Sequence, residues 1–229
     1  QVADSLKKRF PQTDFEFVYA GISSTDSTYG AFRLGRDILS KGKIDLLFIE
    51  SAVNELHNSR TRDDIVKAVE GIILQARRQN QYMDMVAQYL YDMPYVESYR
   101  KGITPWQIAA LDRISLQYGI NAIDQAKQVT RWFDSGEIPA QKFGGCHPKP
   151  VGHQAYGEMI DRLLDYGWKE PVTQSLIPHP GSRRYDEHSY DRGHLQSINS
   201  AKIKSGWKLV KNWQGSEKGR VRKHDLGID

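Results

Sequence analysis

The sequence predicts an α/β fold, built on a parallel sheet that helices cover on both faces. Two observations lead to this prediction. Short apolar segments alternate with helical patterns from residue 1 to about residue 168, which is the order typical of a parallel sheet with crossover helices. The segment IDLLFIES at 44–51 is nearly continuously apolar, as strands buried on both faces are.

Four segments are predicted as strands. They are FEFVYA at 15–20, IDLLFIES at 44–51, YMDMVAQYLY at 82–91 and INAID at 120–124. The first is rich in β-branched and aromatic residues, and helical patterns separate all four along the chain. The strands therefore have room for the crossover helices that parallel pairing requires.

Helices are predicted between and after these strands. One begins near residue 28, where Ser27 or Thr28 is available as its cap. Another begins at about Thr61, and Asp63 and Asp64 suit the positive end of its dipole. Further helical patterns cover 2–10, 104–119, 126–136 and 154–168.

The composition argues against several classes of protein. The balance of 32 Lys and Arg against 28 Asp and Glu gives a net charge of +4, which is too small to indicate a nucleic-acid partner. No apolar run approaches the roughly 20 residues that cross a bilayer, so no membrane partner is expected. Cys146 is the only cysteine, so the chain cannot form an internal disulfide.

Three loops carry candidate functional residues: GISSTDS at 21–27, SAVNE at 51–55 and GGCHPKPVGH at 144–153. The carboxyl ends of the strands in an open α/β sheet form the ligand crevice. Taken singly, the residues are ambiguous. An asparagine such as Asn54 often closes a turn, the pair Ser23–Ser24 often caps a helix, and His147 before a proline is often a solvated loop residue.

Together, three runs are more specific. YAGISSTDSTYGAFRLGRDIL, DLLFIESAVNE and FGGCHPKPVGHQAY resemble the second, third and fifth sequence blocks of the SGNH (GDSL-type) ester hydrolases. The resemblance covers residues 1 to about 165. It implies a three-layer α/β/α sandwich with a parallel, flavodoxin-like sheet, and a serine ester hydrolase that uses no cofactor and no metal.

The resemblance also implies a role for individual residues. His147 matches the family's general base, and Asn54 matches the asparagine of its oxyanion hole. The backbone N–H of Ser24 stands where the family's second oxyanion donor lies, usually on a glycine. Glu50 lies inside an apolar strand, where an unpaired charge is costly, so we expect it to bond to Arg33 or Arg36 behind the site.

Three departures from the family pattern matter. Gly144 occupies the position of the carboxylate that commonly orients the histidine, and Glu55 stands where the family often has aspartate. The first block, a short strand followed by Gly-Asp-Ser, is missing. The nucleophilic serine and the first central strand are therefore not in the chain. We expect 1–168 to be an N-terminally truncated hydrolase domain, with its nucleophile upstream of residue 1.

The last part of the chain differs from the rest in its amino-acid composition. Three prolines and a glycine between 169 and 184 indicate a linker. Residues 185–229 carry Trp207 and Trp213 among lysines and resemble the start of a β-rich accessory domain, too short to bury a core of its own. The basic residues could also form a nucleic-acid patch, but a solvated, lysine-rich β-surface is the simpler interpretation.

The leading hypothesis is an ester hydrolase that removes acetyl or other small acyl groups from carbohydrate; the carbohydrate rests on family analogy. A non-catalytic module that binds a glycan or a partner protein is the alternative. A metal site formed by Cys146, His147 and His153 fits no common zinc spacing. A secreted or periplasmic location would suit a carbohydrate esterase, and the oligomeric state is left open.

Overall fold

The computed structural model describes residues 2–169, 176–179, 181, 183–202 and 204–206. The chain divides into two compact units, 1–194 and 195–229. In the second unit, the described residues contain a short 3₁₀ helix, Ile198–Ser200, whose start is capped by the hydroxyl of Ser197. The predicted strands, helices and site residues all lie in the first unit.

Three parallel strands form the sheet of the first unit. They are β1 (Leu46–Glu50), β2 (Asp84–Gln88) and β3 (Asn121–Ile123), in the order β1-β2-β3. Their ladders are parallel, with Leu47 opposite Met85 and Ala87 opposite Ala122. The predicted α/β fold with a parallel sheet is confirmed.

The first predicted strand, at 15–20, is wrong for the described chain. Residues 15–20 have no regular secondary structure and pair with none of the described strands. Instead, Phe15 and Phe17 pack against a small apolar cluster that also contacts Phe48 of β1. An extended segment becomes a strand only beside a partner backbone, and here no partner lies alongside it.

Nine α-helices lie in the described part of the first unit. They are α1 (Val2–Arg9), α2 (Ser27–Asp37), α3 (Ala52–His57), α4 (Arg62–Gln79), α5 (Met93–Arg100), α6 (Trp106–Gln117), α7 (Gln125–Ser135), α8 (Ala140–Phe143) and α9 (Pro150–Gly167). Close to the predicted start, Thr61 caps α4 and forms a capping box with Asp64. No helix in the described residues is long and apolar enough to span a membrane.

The sheet is covered on both faces. Leu47 belongs to the main core, with buried residues of α4 and α6, whereas its neighbour Phe48 packs against Leu6 of α1 and Ile160 of α9. Successive residues of a strand point to opposite faces. The helices therefore form a layer on each side of β1, as a sandwich requires.

Residues 184–193, here called the strap, lie along α4. The buried carboxylate of Glu70 accepts hydrogen bonds from the backbone N–H groups of Tyr185 and Asp186 and from the hydroxyl of Tyr118. Asp191 pairs with Arg78 of α4 at 2.7 Å. The strap is therefore held against α4 by hydrogen bonds to Glu70 and by an ion pair with Arg78.

The strap bears on the predicted domain boundaries. The predicted linker, 169–184, falls partly outside the described residues, as does the predicted accessory domain, 185–229, whose two tryptophans are not described. The described residues 185–194 belong to the first unit. An accessory domain further along the chain stays a prediction.

Candidate active site

The loop before α2 is organised by Asp26, which is almost fully buried. One of its carboxylate oxygens accepts from the N–H groups of Thr28 and Tyr29, so Asp26 caps α2 in place of the predicted Ser27 or Thr28. Its other oxygen accepts from Asn58 and Arg60, each at 2.7 Å. Asp26 thus bonds to the helix start and to this arginine at once, which favours it over the predicted caps.

Ser24 lies in the same loop with a left-handed backbone, at φ 65°. This conformation costs a residue with a side chain about 1 kcal/mol or more, and glycine adopts it freely. The carbonyl of Ser24 accepts a hydrogen bond from Asn58 at 3.2 Å, and its N–H has no acceptor among the described residues. The loop therefore has the backbone shape expected of a glycine, with a serine in that position.

Asn54 lies on α3, directly after the carboxyl end of β1. Glu55, the next residue, is fully buried and accepts a hydrogen bond from the N–H of Ser27 at 3.0 Å. Together with the Asn58–Ser24 bond, this contact ties α3 to the Ser24 loop at two points. The side-chain amide of Asn54 is half-buried and bonds to none of the described residues, so it is free to bind a ligand.

The predicted partners of Glu50 are wrong. Arg33 bonds to Asp37 and to the carbonyl of Ala20, each at 2.6 Å, and Arg36 also bonds to Asp37. Asp37 is four residues after Arg33 on the same helix, an optimal spacing for an ion pair. Burial raises the pKa of Glu50 to about 7, opposed by the N–H groups of Val53 and Ala52 and assisted by the charge of Glu55.

The loop that carries His147 is closed at its base. Gly144 and Pro148 form an antiparallel bridge, and the N–H of Lys149 donates to the carbonyl of Phe143 at 2.7 Å. His147 is exposed at this loop, and its ring bonds to no side chain of the described residues. The imidazole is therefore accessible to a further group, and no serine of the described chain hydrogen-bonds to it.

The backbone at Gly144 leaves no place for a carboxylate. Its φ is 101°, and a Cβ built there would lie 2.8 Å from the backbone N of Lys149. That φ is strained for any residue with a side chain, and the contact would push apart the base of the loop. The orienting carboxylate that the resemblance implies is thus incompatible with this conformation.

Three neighbouring residues were missed by the sequence reasoning. Tyr91 and Asp92 follow the carboxyl end of β2, and the Tyr91 hydroxyl donates to the carbonyl of Gly144 at 2.6 Å. Asp92 caps α5 and lies 2.5 Å from the Nε2 atom of His57 on α3. The only signal in the sequence was an Asp shortly before Pro94 at a predicted strand end, a common helix start.

These links place the loops of the predicted site residues near the carboxyl ends of β1 and β2. The Ser24 loop is bonded to α3, which carries Asn54, and the His147 loop is bonded to Tyr91 at the end of β2. The structure brings Glu50 close to α3 but leaves Arg33 apart from it. Within the described residues, no group of three His, Cys, Asp or Glu side chains is placed to hold a metal ion.

Known structures share this fold. Two are structures of a two-domain esterase (CEX) active on acetylated mannans, one of them co-crystallized with mannopentaose. They align with TM-scores of 0.62 and 0.66 over 77% and 82% of this chain, at 24% identity in both cases. The chain spans only 45% and 47% of the length of those two chains.

A third structure is the lipase/acylhydrolase from Enterococcus faecalis, with a TM-score of 0.50, 20% identity and coverage of 75% of this chain and 88% of that chain. No protein-family model and no curated protein sequence matches the chain. At these identities the likeness concerns architecture. The chain therefore has an α/β fold that it shares with an esterase and an acylhydrolase.

Proposed function

We propose that this chain forms most of the catalytic domain of a serine ester hydrolase that removes acetyl or other small acyl groups from carbohydrate. His147 is the general base, and the Asn54 amide and the Ser24 N–H form the oxyanion hole. The observation that carries the proposal is the bonded assembly of the Ser24 loop with α3. It leaves two hydrogen-bond donors without acceptors in the described chain, at the edge of the sheet where ligands bind.

The proposed chemistry follows acyl transfer. His147 takes the proton of a serine hydroxyl as the serine oxygen attacks the ester carbonyl, and the two donors stabilise the negative oxygen of the tetrahedral intermediate. Collapse of the intermediate breaks the bond to the sugar oxygen, which leaves with the proton from His147. Water then attacks the acyl-serine with the same assistance and releases the carboxylic acid.

The nucleophilic serine is proposed to come from sequence that precedes residue 1. Two features support this. The first is that neither the side of β1 away from β2 nor the segment 15–20 pairs with a described strand. In addition, Glu50 Oε1 and Glu55 Oε2 are buried without a hydrogen-bond donor, which is rare in native proteins. A further strand along β1 would end beside these oxygens.

The carbohydrate substrate rests on likeness of fold. The two-domain esterase with this fold is described as active on acetylated mannans. Fold alone does not fix a substrate, so acetylated mannan is the first polysaccharide to test, beside acetylated xylan and a small aryl acetate. Turnover of the aryl acetate alone would retain the ester hydrolase and remove the carbohydrate.

The deciding experiment uses the full-length gene product with its upstream sequence. His147→Ala should abolish hydrolysis of the aryl acetate, and Asn54→Ala should lower kcat by about 10²–10³. His153→Ala is the matched control, because it removes an exposed histidine from the same stretch and should leave kcat unchanged. Wild-type turnover by the His147→Ala variant would refute the assignment.

A second experiment asks where the nucleophile lies. A fluorophosphonate probe should not label the 229-residue chain, and it should label one serine of the full-length protein upstream of residue 1. Labelling of Ser23 or Ser24 would instead place the nucleophile in this chain. If neither protein is labelled and neither is active, the alternative of a non-catalytic binding module replaces the enzyme.

A further inference from the structure

The His147 loop raises a question that the proposed function leaves open. A general base is effective when another group holds its ring in place, and the His147 ring has no such partner among the described residues. Gly144 also excludes the usual carboxylate by its backbone conformation and by the position of Lys149. The loop must therefore be held through its backbone.

Tyr91 makes the contact that can do this. Its hydroxyl donates to the carbonyl of Gly144 at 2.6 Å, three residues before His147. Its own N–H donates to the hydroxyl oxygen of Tyr156 on α9 at 3.0 Å. Tyr91 is thus fixed at both ends, between the sheet and the helix that follows the loop.

The ring of Tyr91 is held as firmly as its polar atoms. It packs edge-on against Phe133 at 5.4 Å and against Phe143 at 5.3 Å between ring centroids. Tyr91 and Phe143 are both buried, and Phe143 directly precedes Gly144. Aromatic pairs in this geometry stabilise by about 0.5–1.5 kcal/mol each. The hydroxyl therefore has a defined position from which to fix the loop.

Asp92, the next residue, extends the connection to the other side of the site. Its carboxylate bonds to His57 of α3 and to the N–H of Met93. The dipeptide Tyr91–Asp92 thus contacts both the loop that carries His147 and the helix that carries Asn54. Burial, assisted by Asp92 and Cys146, raises the pKa of Tyr91, so the hydroxyl stays protonated and able to donate.

We propose that Tyr91 is a positioning residue, whose hydroxyl holds the His147 loop at Gly144 and fixes its distance from α3. The catalytic part of this inference rests on the proposed function. The mechanical part does not, because a loop can be held or released whether or not the protein is an enzyme. The two parts are therefore measured separately.

The mechanical test compares Tyr91→Phe with Tyr99→Phe in the 229-residue chain. Tyr91→Phe removes one hydroxyl and keeps the packed ring. Tyr99→Phe is the matched control, since the Tyr99 hydroxyl donates to Asp124, between α5 and α7. Amide hydrogen exchange at Lys149 should accelerate about tenfold in Tyr91→Phe, the equivalent of one lost hydrogen bond, and should not change in Tyr99→Phe. Unchanged exchange in Tyr91→Phe would overturn the proposal.

The catalytic test uses the same two variants of the full-length gene product. Tyr91→Phe should lower kcat about tenfold with little change in KM, because the loop positions the base and does not bind substrate. Tyr99→Phe should leave both constants unchanged, even where it lowers stability as much. An equal loss of kcat in both variants, or none in Tyr91→Phe while His147→Ala is inactive, would contradict positioning. Full activity of His147→Ala would refute the proposed function alone.

Discussion

Glu70 and Glu55 are both fully buried carboxylates, but their surroundings differ. Glu70, under the strap, receives hydrogen bonds from three donors. Glu55, beneath the candidate site, receives one at Oε1 from the N–H of Ser27, while its Oε2 and the nearby hydroxyls of Ser27 and Ser51 form no hydrogen bond of ordinary length. Glu50, five residues earlier at the end of β1, likewise has a buried oxygen without a donor.

The difference shows which buried carboxylates find their hydrogen-bond donors within the described chain. A buried charge is tolerated when donors surround it, and Glu70 meets that condition within the described chain. At the carboxyl end of β1 the same residue type is left partly unsatisfied. The carboxyl end of β1 is therefore suited to receive a further hydrogen-bonding group, whereas the carboxylate under the strap already has its donors.

The largest effect that can sharpen this comparison is expected at Glu50. Its pKa of about 7 in the folded state lies above the ordinary value in the unfolded chain, so the folded protein holds the proton more tightly. The contribution of this group to stability should therefore be complete below about pH 4.5 and decline by about 3 kcal/mol as pH rises towards 7. Glu50→Gln should remove this part of the decline.

The measurement is the free energy of unfolding in urea at pH values from 5 to 8. Glu16→Gln is the control, since Glu16 is an exposed glutamate in the extended segment 14–22, and this variant should keep the wild-type slope. Identical slopes for wild type and Glu50→Gln would mean that Glu50 is solvated. Glu55 alone would then stand in contrast to Glu70.

A smaller effect is expected at Glu70. Glu70→Gln should destabilise by about 2 kcal/mol, because one of the three donors then faces an amide N–H₂ in place of an oxygen. Glu55→Gln should cost less, since only one backbone N–H, that of Ser27, donates to it at ordinary hydrogen-bond length. The comparison is by urea unfolding at one pH where wild type is most stable, and a larger loss for Glu55→Gln would reverse the comparison.

The smallest effect is expected at Ser24. Ser24→Gly should stabilise the protein by about 1 kcal/mol, because glycine adopts a φ of 65° without strain. Ser23→Gly is the neighbouring control, with no left-handed backbone to relieve, and should be neutral or slightly destabilising. Thermal unfolding distinguishes the two, and a loss of stability in Ser24→Gly would show that the serine side chain makes a contact of its own.

Much of the fold was predictable because its signals are local. The apolar run at 44–51 predicted β1, and the spacing of Thr61 and Asp64 predicted the start of α4. The strand at 15–20 failed because pairing depends on a neighbouring backbone, which no property of the segment itself reveals. The cap of α2 failed because three adjacent residues were equally suitable, and a distant arginine, Arg60, selects Asp26.

The loops of the candidate site could be located from the sequence, whereas the bonds that connect them could not. The loops of Ser24, Asn54 and His147 are each visible as short polar runs after a strand or before a helix. The bond between Tyr91 and Gly144 joins residues 53 positions apart, and that between His57 and Asp92 joins residues 35 apart. No periodicity encodes such contacts. The roles of His147, Asn54 and Ser24 stay predictions.

The strap shows how a sequence signal can be present and overlooked. Its proline- and glycine-rich surroundings indicated a linker. Yet Glu70 lies within the apolar stripe of α4, where an unpaired carboxylate would be costly. A charged residue at a core position of a helix predicts a set of donors from elsewhere in the chain, and the strap supplies two of them.

The conformation of Gly144 has a consequence for how such a loop can evolve. Replacing glycine by an acidic residue needs a single base change, to aspartate or to glutamate according to the third base of the codon, so the genetic code presents no obstacle to a carboxylate here. The obstacle is the backbone, since the new side chain would collide with Lys149 before it could reach the imidazole. A return to the three-residue arrangement would require the loop to be refolded at the same time. Within the present backbone, position 144 therefore accepts glycine and resists any residue with a side chain.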